Sequence, residues 1–235
     1  MKDGSLNVVL FGETGSGKSS VVNLLAGKEV AKTSPDIDGC TKTSKPYSLV
    51  LNGESYVIWD TAGLDEPMMG DTECLHAAEQ VCKLVKDLVK AGGIHLLLFC
   101  YRQGRITTIT QKNYALVYEV ACRKSVPIAI VVTHLEQEKC MEGWWVQNAE
   151  IFEQRGIKFC KHACVTTLSG DLKVQESREA IRRLLKGLKS DGRYRIPSEE
   201  LVESDLKGEN LVRILRERCG LREHDTHRVA QILTE

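Results

Sequence analysis

Short apolar runs alternate along the chain with longer segments in which apolar residues recur every three or four positions. The short runs predict six strands, at 6–11, 47–51, 55–60, 94–101, 127–132 and 160–166. The longer amphipathic segments predict helices at 19–26, 72–90, 108–122, 141–155 and 177–188. Such alternation is typical of a three-layer α/β domain, in which helices cover both faces of a mainly parallel sheet.

The second and third predicted strands are separated only by Asn52-Gly53-Glu54. Asn-Gly is a strong signal for a tight β-hairpin, because both residues tolerate the positive φ that the turn requires. The sequence therefore predicts a six-stranded sheet that is parallel except for one antiparallel edge strand.

The pattern weakens after residue 189. Ser190-Asp191-Gly192 and Ile196-Pro197 interrupt the chain, and two weakly amphipathic stretches follow around Leu211 and Val229. We therefore predict one domain over residues 1–189 and a helical C-terminal extension over residues 190–235. The pattern leaves open whether the extension packs on the domain or binds a partner.

Composition excludes several classes of protein. The 32 Lys and Arg residues balance 32 Asp and Glu residues, so no overall field favours a nucleic-acid partner. The nine cysteines form neither a C-x-x-C pair nor a zinc-like spacing, which favours reduced thiols. The sequence shows no signal-peptide core, no apolar run of the ~20 residues that cross a bilayer, and no prenylation box. These features predict a cytoplasmic protein without a transmembrane segment.

Residues 12–19 read Gly-Glu-Thr-Gly-Ser-Gly-Lys-Ser and lie between a predicted strand and a predicted helix. This is the phosphate-binding pattern G-x-x-x-x-G-K-S, whose glycines let backbone N–H groups turn toward a phosphate. The start of the following helix adds further N–H groups and a partial positive charge. We expect Lys18 to reach the β- and γ-phosphates and the Ser19 hydroxyl to bind Mg²⁺. The residues predicted to contact the nucleotide here are Glu13, Thr14, Gly15, Ser16, Gly17, Lys18, Ser19 and Ser20.

A second motif, Asp60-Thr61-Ala62-Gly63, ends the third predicted strand. Asp60 is expected to act on the Mg²⁺, usually through water, and the Gly63 N–H to approach the γ-phosphate. Between the two motifs, Thr41 is a candidate for the Mg²⁺ shell and for a further γ-phosphate contact. Together the motifs favour a nucleotide-controlled switch over a kinase.

The fifth predicted strand is followed by Thr133-His134-Leu135-Glu136. G domains usually carry Asn/Thr-Lys-x-Asp here, with the carboxylate accepting hydrogen bonds from guanine N1 and N2. Glu136 can accept the same bonds, and the His134 ring can stack on the base in place of the lysine. Thr166, at the end of the sixth predicted strand, is expected to cover the O6 edge. These residues favour GTP, while ATP stays open because Glu136 is one methylene longer than Asp.

The order of these motifs resembles the septin-like branch of P-loop GTPases, which includes the GIMAP-type and Toc GTPases, over about residues 6–188. Residues 12–19 look like the G-x-T-G-x-G-K-S variant of that branch, and Gly104-Arg105-Ile106-Thr107 is similar to the end of the GIMAP box. The wording around Trp144-Trp145 also resembles fungal G-domain proteins.

The resemblance implies a P-loop NTPase fold with Mg²⁺ and with GTP or GDP as ligand. It also implies a homodimer formed through the nucleotide face, in which an arginine is offered in trans. Arg105 matches the box and is the first candidate, and Arg102 is the second. The resemblance does not specify an effector.

Leu64 stands where Ras-like enzymes carry a Gln that orients the attacking water. We therefore expect slow hydrolysis by the isolated chain and stimulation by dimerisation. The residues expected to contribute to catalysis are Lys18, Thr41, Gly63 and Arg105. Two alternatives remain: a nucleotide-gated assembly module with negligible hydrolysis, and an ATP-dependent P-loop enzyme.

Overall fold

Six strands form one sheet in the computed structural model, which describes residues 4–33, 43–65, 72–168, 170–186, 188 and 208–234 (backbone only for 72–74). The strand order is β2-β3-β1-β4-β5-β6. The strands are β1 (Leu6–Phe11), β2 (Lys45–Leu51), β3 (Glu54–Asp60), β4 (Leu96–Arg102), β5 (Ile128–Thr133) and β6 (Lys161–Cys164). β2 runs antiparallel to β3, and all other neighbours in this sheet are parallel. The predicted fold class is confirmed.

A two-residue turn joins β2 to β3. Asn52 has φ 51° and Gly53 has φ 80°, the left-handed conformation that a type I′ hairpin requires at both positions. The pair Leu51 and Glu54 closes the hairpin in register. The Asn-Gly signal therefore fixed both the turn and the antiparallel direction of the edge strand.

Helices cover both faces of the sheet. They are α1 (Lys18–Ala26), α2 (Thr72–Lys90), α3 (Thr108–Tyr114), α4 (Met141–Gln154), α5 (Val174–Leu185), α6 (Gly208–Glu217) and α7 (Glu223–Thr234). Alternate residues of β1 enter two separate cores, because successive side chains of a strand point to opposite faces. Val9 and Phe11 join the core beneath α2, α3 and α4, whereas Val8 and Leu10 join the core beneath α1 and α5. The carboxyl ends of the parallel strands meet at one edge, where the predicted site residues lie.

Two helix predictions were wrong in detail. The predicted helix 108–122 changes after Tyr114 into a π-helix, Ala115–Ala121, in which the Cys122 N–H donates to the Val117 carbonyl at 2.9 Å. A hydrophobic period in sequence does not distinguish i+4 from i+5 bonding over so short a segment. The helix predicted at 177–188 lies at 174–185 and ends because Lys186 adopts extended backbone (φ −67°, ψ 131°).

The C-terminal helices α6 and α7 pack on the domain. Leu215 and Val229 are fully buried in the same core as α2 and the π-helix. Two ion pairs border this contact, Arg228–Glu79 at 2.8 Å and Arg218–Glu119 at 2.6 Å. The part of the extension that the structure describes is therefore folded against α2. None of the described helices is long and apolar enough to cross a membrane.

The cysteines within the described side chains are free thiols. They are Cys82, Cys100, Cys122, Cys140, Cys160, Cys164 and Cys219. Burial raises the pKa of both Cys100 and Cys122 to about 12, so these two thiols stay protonated at neutral pH. They therefore behave as small apolar side chains, as the scattered spacing in the sequence predicts.

Candidate nucleotide-binding site

The phosphate loop, residues 12–19, curls between β1 and α1. Gly12 has φ 145°, and a Cβ at this position would lie 2.2 Å from the Cys100 carbonyl oxygen of β4. Only glycine allows this approach, which seats the loop on the strand beside it. Gly17 forms the N-cap of α1 and no side chain bonds there. The first N–H groups of α1 are therefore directed at the loop, the arrangement that binds anions.

Lys18 lies inside the curve of the loop. Its ammonium Nζ donates to the Gly12 carbonyl at 3.0 Å and to the Glu13 carbonyl at 2.8 Å. Burial lowers the pKa of Lys18 from its ordinary value, while Cys100 and the nearby carboxylates of Asp60, Asp65 and Glu13 act in the opposite direction. A buried cation is thus held where an anion can replace its carbonyl partners.

Ser19 and Asp60 bring two oxygen donors together beside Lys18. The Ser19 hydroxyl donates to Asp60 Oδ2 at 2.6 Å, and Asp60 is 1% exposed. Neighbouring ligands of an octahedral Mg²⁺ lie about 3 Å apart, since each bond is about 2.1 Å. A hydroxyl and a carboxylate at this separation fit Mg²⁺, which prefers oxygen ligands. Thr41, the third predicted ligand, lies outside the described residues.

Gly63 packs directly against the phosphate loop. A Cβ on Gly63 would lie 1.9 Å from Thr14 Oγ1 and 2.7 Å from Thr14 Cα, so the contact requires glycine. Next to it, the Leu64 N–H donates to the Gly12 carbonyl at 3.1 Å. Asn113 of α3 donates its side-chain amide to the Leu64 carbonyl at 2.7 Å. The Leu64 side chain is 3% exposed and belongs to the core beneath α2, so it points away from the site.

Two acidic side chains at the loop have partners that the sequence does not indicate. The Thr14 N–H donates to Asp65 Oδ1 at 2.8 Å. Glu13, which we expected to contact the nucleotide, accepts a hydrogen bond from the Thr110 hydroxyl of α3 at 2.8 Å. Thr107 and Thr110 also form the capping box of α3, in which each side chain bonds the other's backbone N–H. The phosphate loop is therefore tied to α3.

Thr133 and His134 lie at the end of β5, next to the phosphate loop. The Thr133 hydroxyl donates to the Ser16 carbonyl at 2.9 Å, and the His134 Nδ1 lies 2.9 Å from the same hydroxyl oxygen. Because the hydroxyl proton goes to Ser16, Nδ1 carries the ring proton and Nε2 is left as an acceptor. Burial, followed by the charge of Arg102, lowers the pKa of His134, so the ring is neutral at pH 7. A neutral ring can stack on a base.

The loop that carries Glu136 is held by a lysine that the sequence patterns did not reveal. Lys173 Nζ donates to the Glu136 carbonyl at 3.2 Å and to the Glu138 carbonyl at 2.5 Å. Glu136 itself is half-buried. Lys173 immediately precedes α5, so it connects the Glu136 loop to the segment that contains Thr166.

Thr166 is buried after β6, and its backbone N–H is already used. It donates to the Ser177 hydroxyl at 3.0 Å, while the Thr166 hydroxyl oxygen accepts from the Leu168 N–H at 3.2 Å. Thr166 therefore shapes this loop from within. Any contact of the loop to a base edge through a backbone N–H falls to another residue.

Arg102 and Arg105 are both exposed on the segment between β4 and α3. The base of this segment is fixed, since the Gln103 N–H donates to the Thr133 carbonyl at 3.1 Å and the Tyr101 hydroxyl to the Gly104 carbonyl at 2.8 Å. Arg105 therefore projects from an anchored loop at the same sheet edge as the phosphate loop. Of the other predicted residues, Gly15 is exposed and Ser20 is half-buried at the start of α1.

Residues 7–134, slightly more than half of the chain, match the family described as 50S ribosome-binding GTPase. The chain belongs to this GTPase family. The GTPase domain is 29% identical over 161 residues to GTPase Der of Campylobacter lari, covering 68% of this chain and 31% of Der. It is 34% identical over 110 residues to the immune-associated nucleotide-binding protein 3 of Arabidopsis thaliana, covering 46% of this chain and 30% of that protein. The matched regions span about a third of these relatives.

Solved structures share the fold of this GTPase domain. Era, in complex with MgGDPNP and nucleotides 1506–1542 of 16S ribosomal RNA, superposes with a TM-score of 0.62 at 18% identity, over 86% of this chain and 60% of that chain. A structure from work on the chloroplast translocon components atToc33 and psToc159, for whose GTPase activity dimerisation is important, superposes with a TM-score of 0.57 at 21% identity. The match covers 80% of this chain and 82% of that chain. At such identities the likeness shows the fold alone. Immune-associated and Toc relatives were expected, whereas the narrower septin-like assignment stays a prediction.

Proposed function

We propose that this GTPase domain is a Mg²⁺-dependent switch that binds GTP and GDP and hydrolyses GTP slowly unless two domains associate. One observation carries the proposal: Ser19 and Asp60 lie 2.6 Å apart beside the buried ammonium of Lys18, at an α1 N-terminus that no side chain caps. This arrangement offers positive charge, open N–H groups and oxygen ligands at one point. Phosphoryl transfer needs mainly positioning and neutralisation of charge, which these groups provide.

Each residue has a defined part in this mechanism. Lys18 exchanges its carbonyl partners for phosphate oxygens, and the N–H groups of residues 12–19 bind the same oxygens. Ser19 and Asp60 would hold Mg²⁺, which supplies further neutralisation at the phosphates when it is bound. The Gly63 N–H would contact the terminal phosphate. Leu64 cannot orient a water, because its side chain has no hydrogen-bonding atom and is buried.

Replacing Leu64 by Gln, the Ras-like residue, is expected to destabilise the fold without raising turnover. The change removes buried apolar surface and places an amide in the core, which together cost about 3 kcal/mol. For a domain of this size the melting temperature should fall by roughly 6–12 °C. Thermal unfolding and multiple-turnover hydrolysis measure the two effects.

Leu64→Met, which nearly conserves volume, is the matched control and should cost less than about 1.5 kcal/mol. A Gln variant that keeps the original melting temperature and hydrolyses faster would show that residue 64 turns toward the nucleotide.

Guanine is the proposed base because Glu136 and His134 lie at the end of β5, beside the phosphate loop. Titrating GDP against ADP in the presence of Mg²⁺ tests this choice directly. We expect GDP to bind more tightly, and Glu136→Gln to weaken GDP by about 10- to 100-fold, the worth of hydrogen bonds to a charged group. The variant should change ADP binding by much less.

Glu153→Gln, an exposed change on α4, is the matched control and should leave both affinities unchanged. Tighter binding of ADP than of GDP would replace the guanine assignment by the ATP-dependent alternative.

Dimerisation through the nucleotide face is proposed as the source of faster hydrolysis. Arg105 is exposed on a loop anchored beside the phosphate loop, where a facing copy could receive it. Dimerisation is important for the GTPase activity of atToc33 and psToc159, which share the fold, and this supports a contribution of dimerisation to hydrolysis here. If the purified dimer binds GTP but shows no single-turnover hydrolysis, the nucleotide-gated assembly module becomes the better description.

A further inference from the structure

Asp65 follows Gly63 and Leu64, which both contact the phosphate loop. Its own carboxylate also accepts a hydrogen bond from that loop. The Thr14 N–H donates to Asp65 Oδ1 at 2.8 Å, across 51 positions of sequence. The Asp65 side chain is exposed, so no burial of its own holds it there. The position of the backbone at Asp65 therefore accounts for its contact with Thr14.

The backbone at this point is firmly placed. Leu64 is bonded on both sides, through its N–H to Gly12 at 3.1 Å and through its carbonyl to Asn113 at 2.7 Å, and its side chain is in the core. Because Asp65 is bonded covalently to Leu64, its backbone can take only a narrow range of positions. We call the three bonds that join Gly12 to Leu64, Leu64 to Asn113 and Thr14 to Asp65 the clasp.

A carboxylate on a phosphate-loop N–H resembles a phosphate oxygen chemically. Both are anionic oxygens that accept strong, short hydrogen bonds from backbone N–H groups. The other two carboxylates near Lys18 accept from side-chain hydroxyls, Glu13 from Thr110 and Asp60 from Ser19. Asp65 instead accepts from a backbone N–H of the loop, that of Thr14.

The position of the clasp decides which phosphate is affected. Lys18 and Ser16 are buried in the floor of the loop, whereas Thr14 is half-buried and Asp65 is exposed at its outer side. Gly63, the residue expected to meet the terminal phosphate, packs on the same Thr14. We therefore expect the Asp65 charge to lie nearer to the third phosphate than to the second.

We propose that Asp65 is a specificity-determining residue that competes with the terminal phosphate of a nucleoside triphosphate for the Thr14 N–H. It thereby favours the diphosphate over the triphosphate. The inference rests on the proposed nucleotide binding, but it does not depend on which base is bound.

The test compares affinities for GDP and for a non-hydrolysable GTP analogue, both with Mg²⁺, in the full chain. Asp65→Asn removes the charge and keeps an oxygen acceptor, and Asp65→Ala removes both. We expect each variant to raise the affinity for the analogue relative to GDP by roughly 10-fold, the size expected for two nearby exposed charges. Affinity for GDP itself should change less than about twofold. Asp87→Asn, an exposed change on α2, is the matched control.

The dependence of the affinity ratio on ionic strength is a second measurement. A purely structural role of Asp65 would not change it. Raising the ionic strength should increase the relative affinity of the wild-type chain for the analogue, because screening weakens repulsion between exposed charges. Both Asp65 variants should lose this dependence. An unchanged or reduced affinity ratio in Asp65→Asn, with the melting temperature preserved, would overturn the inference.

Failure of the proposed function has a different signature. If the wild-type chain prefers ADP, the guanine proposal fails, and the same ratio measured with ADP and a non-hydrolysable ATP analogue still tests Asp65. If it binds no nucleotide, magnesium pyrophosphate and magnesium tripolyphosphate report the ratio without a base. Equal effects of the variants on both polyphosphates would likewise contradict the role of Asp65.

Discussion

Lys18→Met is expected to lower the affinity for both GDP and GTP by about 100-fold or more. The ammonium lies inside the phosphate loop and donates to the Gly12 and Glu13 carbonyls at 3.0 and 2.8 Å, so phosphate oxygens can take over these bonds. Hydrogen bonds between charged groups contribute on the order of 1.5–3 kcal/mol each, and methionine keeps the length of the side chain without the charge. Isothermal titration with each nucleotide and Mg²⁺ measures the loss.

The unliganded variant should nevertheless fold. Removing the ammonium relieves the cost of burying it, which is the largest influence on the pKa of Lys18, while the two carbonyls lose a donor. Since these effects oppose each other, we expect a small change in melting temperature without ligand and no rise when nucleotide is added. Lys28→Met, an exposed change just after α1, should keep the full ligand-induced rise. A Lys18→Met chain that is still stabilised by GDP would contradict the placement of the phosphates.

Arg105→Ala is expected to abolish the part of GTP hydrolysis that depends on protein concentration. An arginine offered in trans neutralises charge in the transition state and is worth about 10³–10⁵-fold in GTPases. Since Arg105 is exposed and its loop is anchored to β5, a facing domain can meet it without unfolding any described element. We expect turnover per chain to rise with concentration in the wild type and to fall at least about 100-fold in the variant at the highest concentration. Nucleotide affinity should be unchanged.

Arg155→Ala, at the far end of α4, is the matched control and should keep the concentration dependence. Arg102→Ala distinguishes the second candidate, because it lies on the same segment but influences His134 instead. Turnover that is independent of concentration in the wild type would remove the dimer from the mechanism.

The sequence predicted the features that depend on local pattern. The six strands, the Asn52-Gly53 turn and the full extent of α2 follow from hydrophobic period and turn chemistry within a few residues. The phosphate loop is local too, because Gly12 and Gly17 leave few other conformations for the segment. These parts of the fold and site are therefore legible without a structure.

The remaining contacts of the site join residues that are distant in sequence. Thr14 meets Asp65 across 51 positions, and Glu13 meets Thr110 across 97. A polar residue in such a contact looks like any solvent-exposed residue, so no periodic pattern marks it. The burial of Leu64 was hidden for the same reason, since a single leucine after Gly63 shows no period. The sequence shows that residue 64 is Leu and not Gln, but it does not show that this side chain lies in the core.

The docking of α7 on α2 has a consequence for biosynthesis. Arg228 and Glu79, which pair across this contact, are 149 positions apart. Ribosomes add about 5–20 residues per second, so Arg228 is added roughly 7–30 s after Glu79. During this interval the apolar face that later receives Val229 is bare on the nascent chain. Chaperones that bind exposed apolar segments therefore have a defined target and a defined window of time.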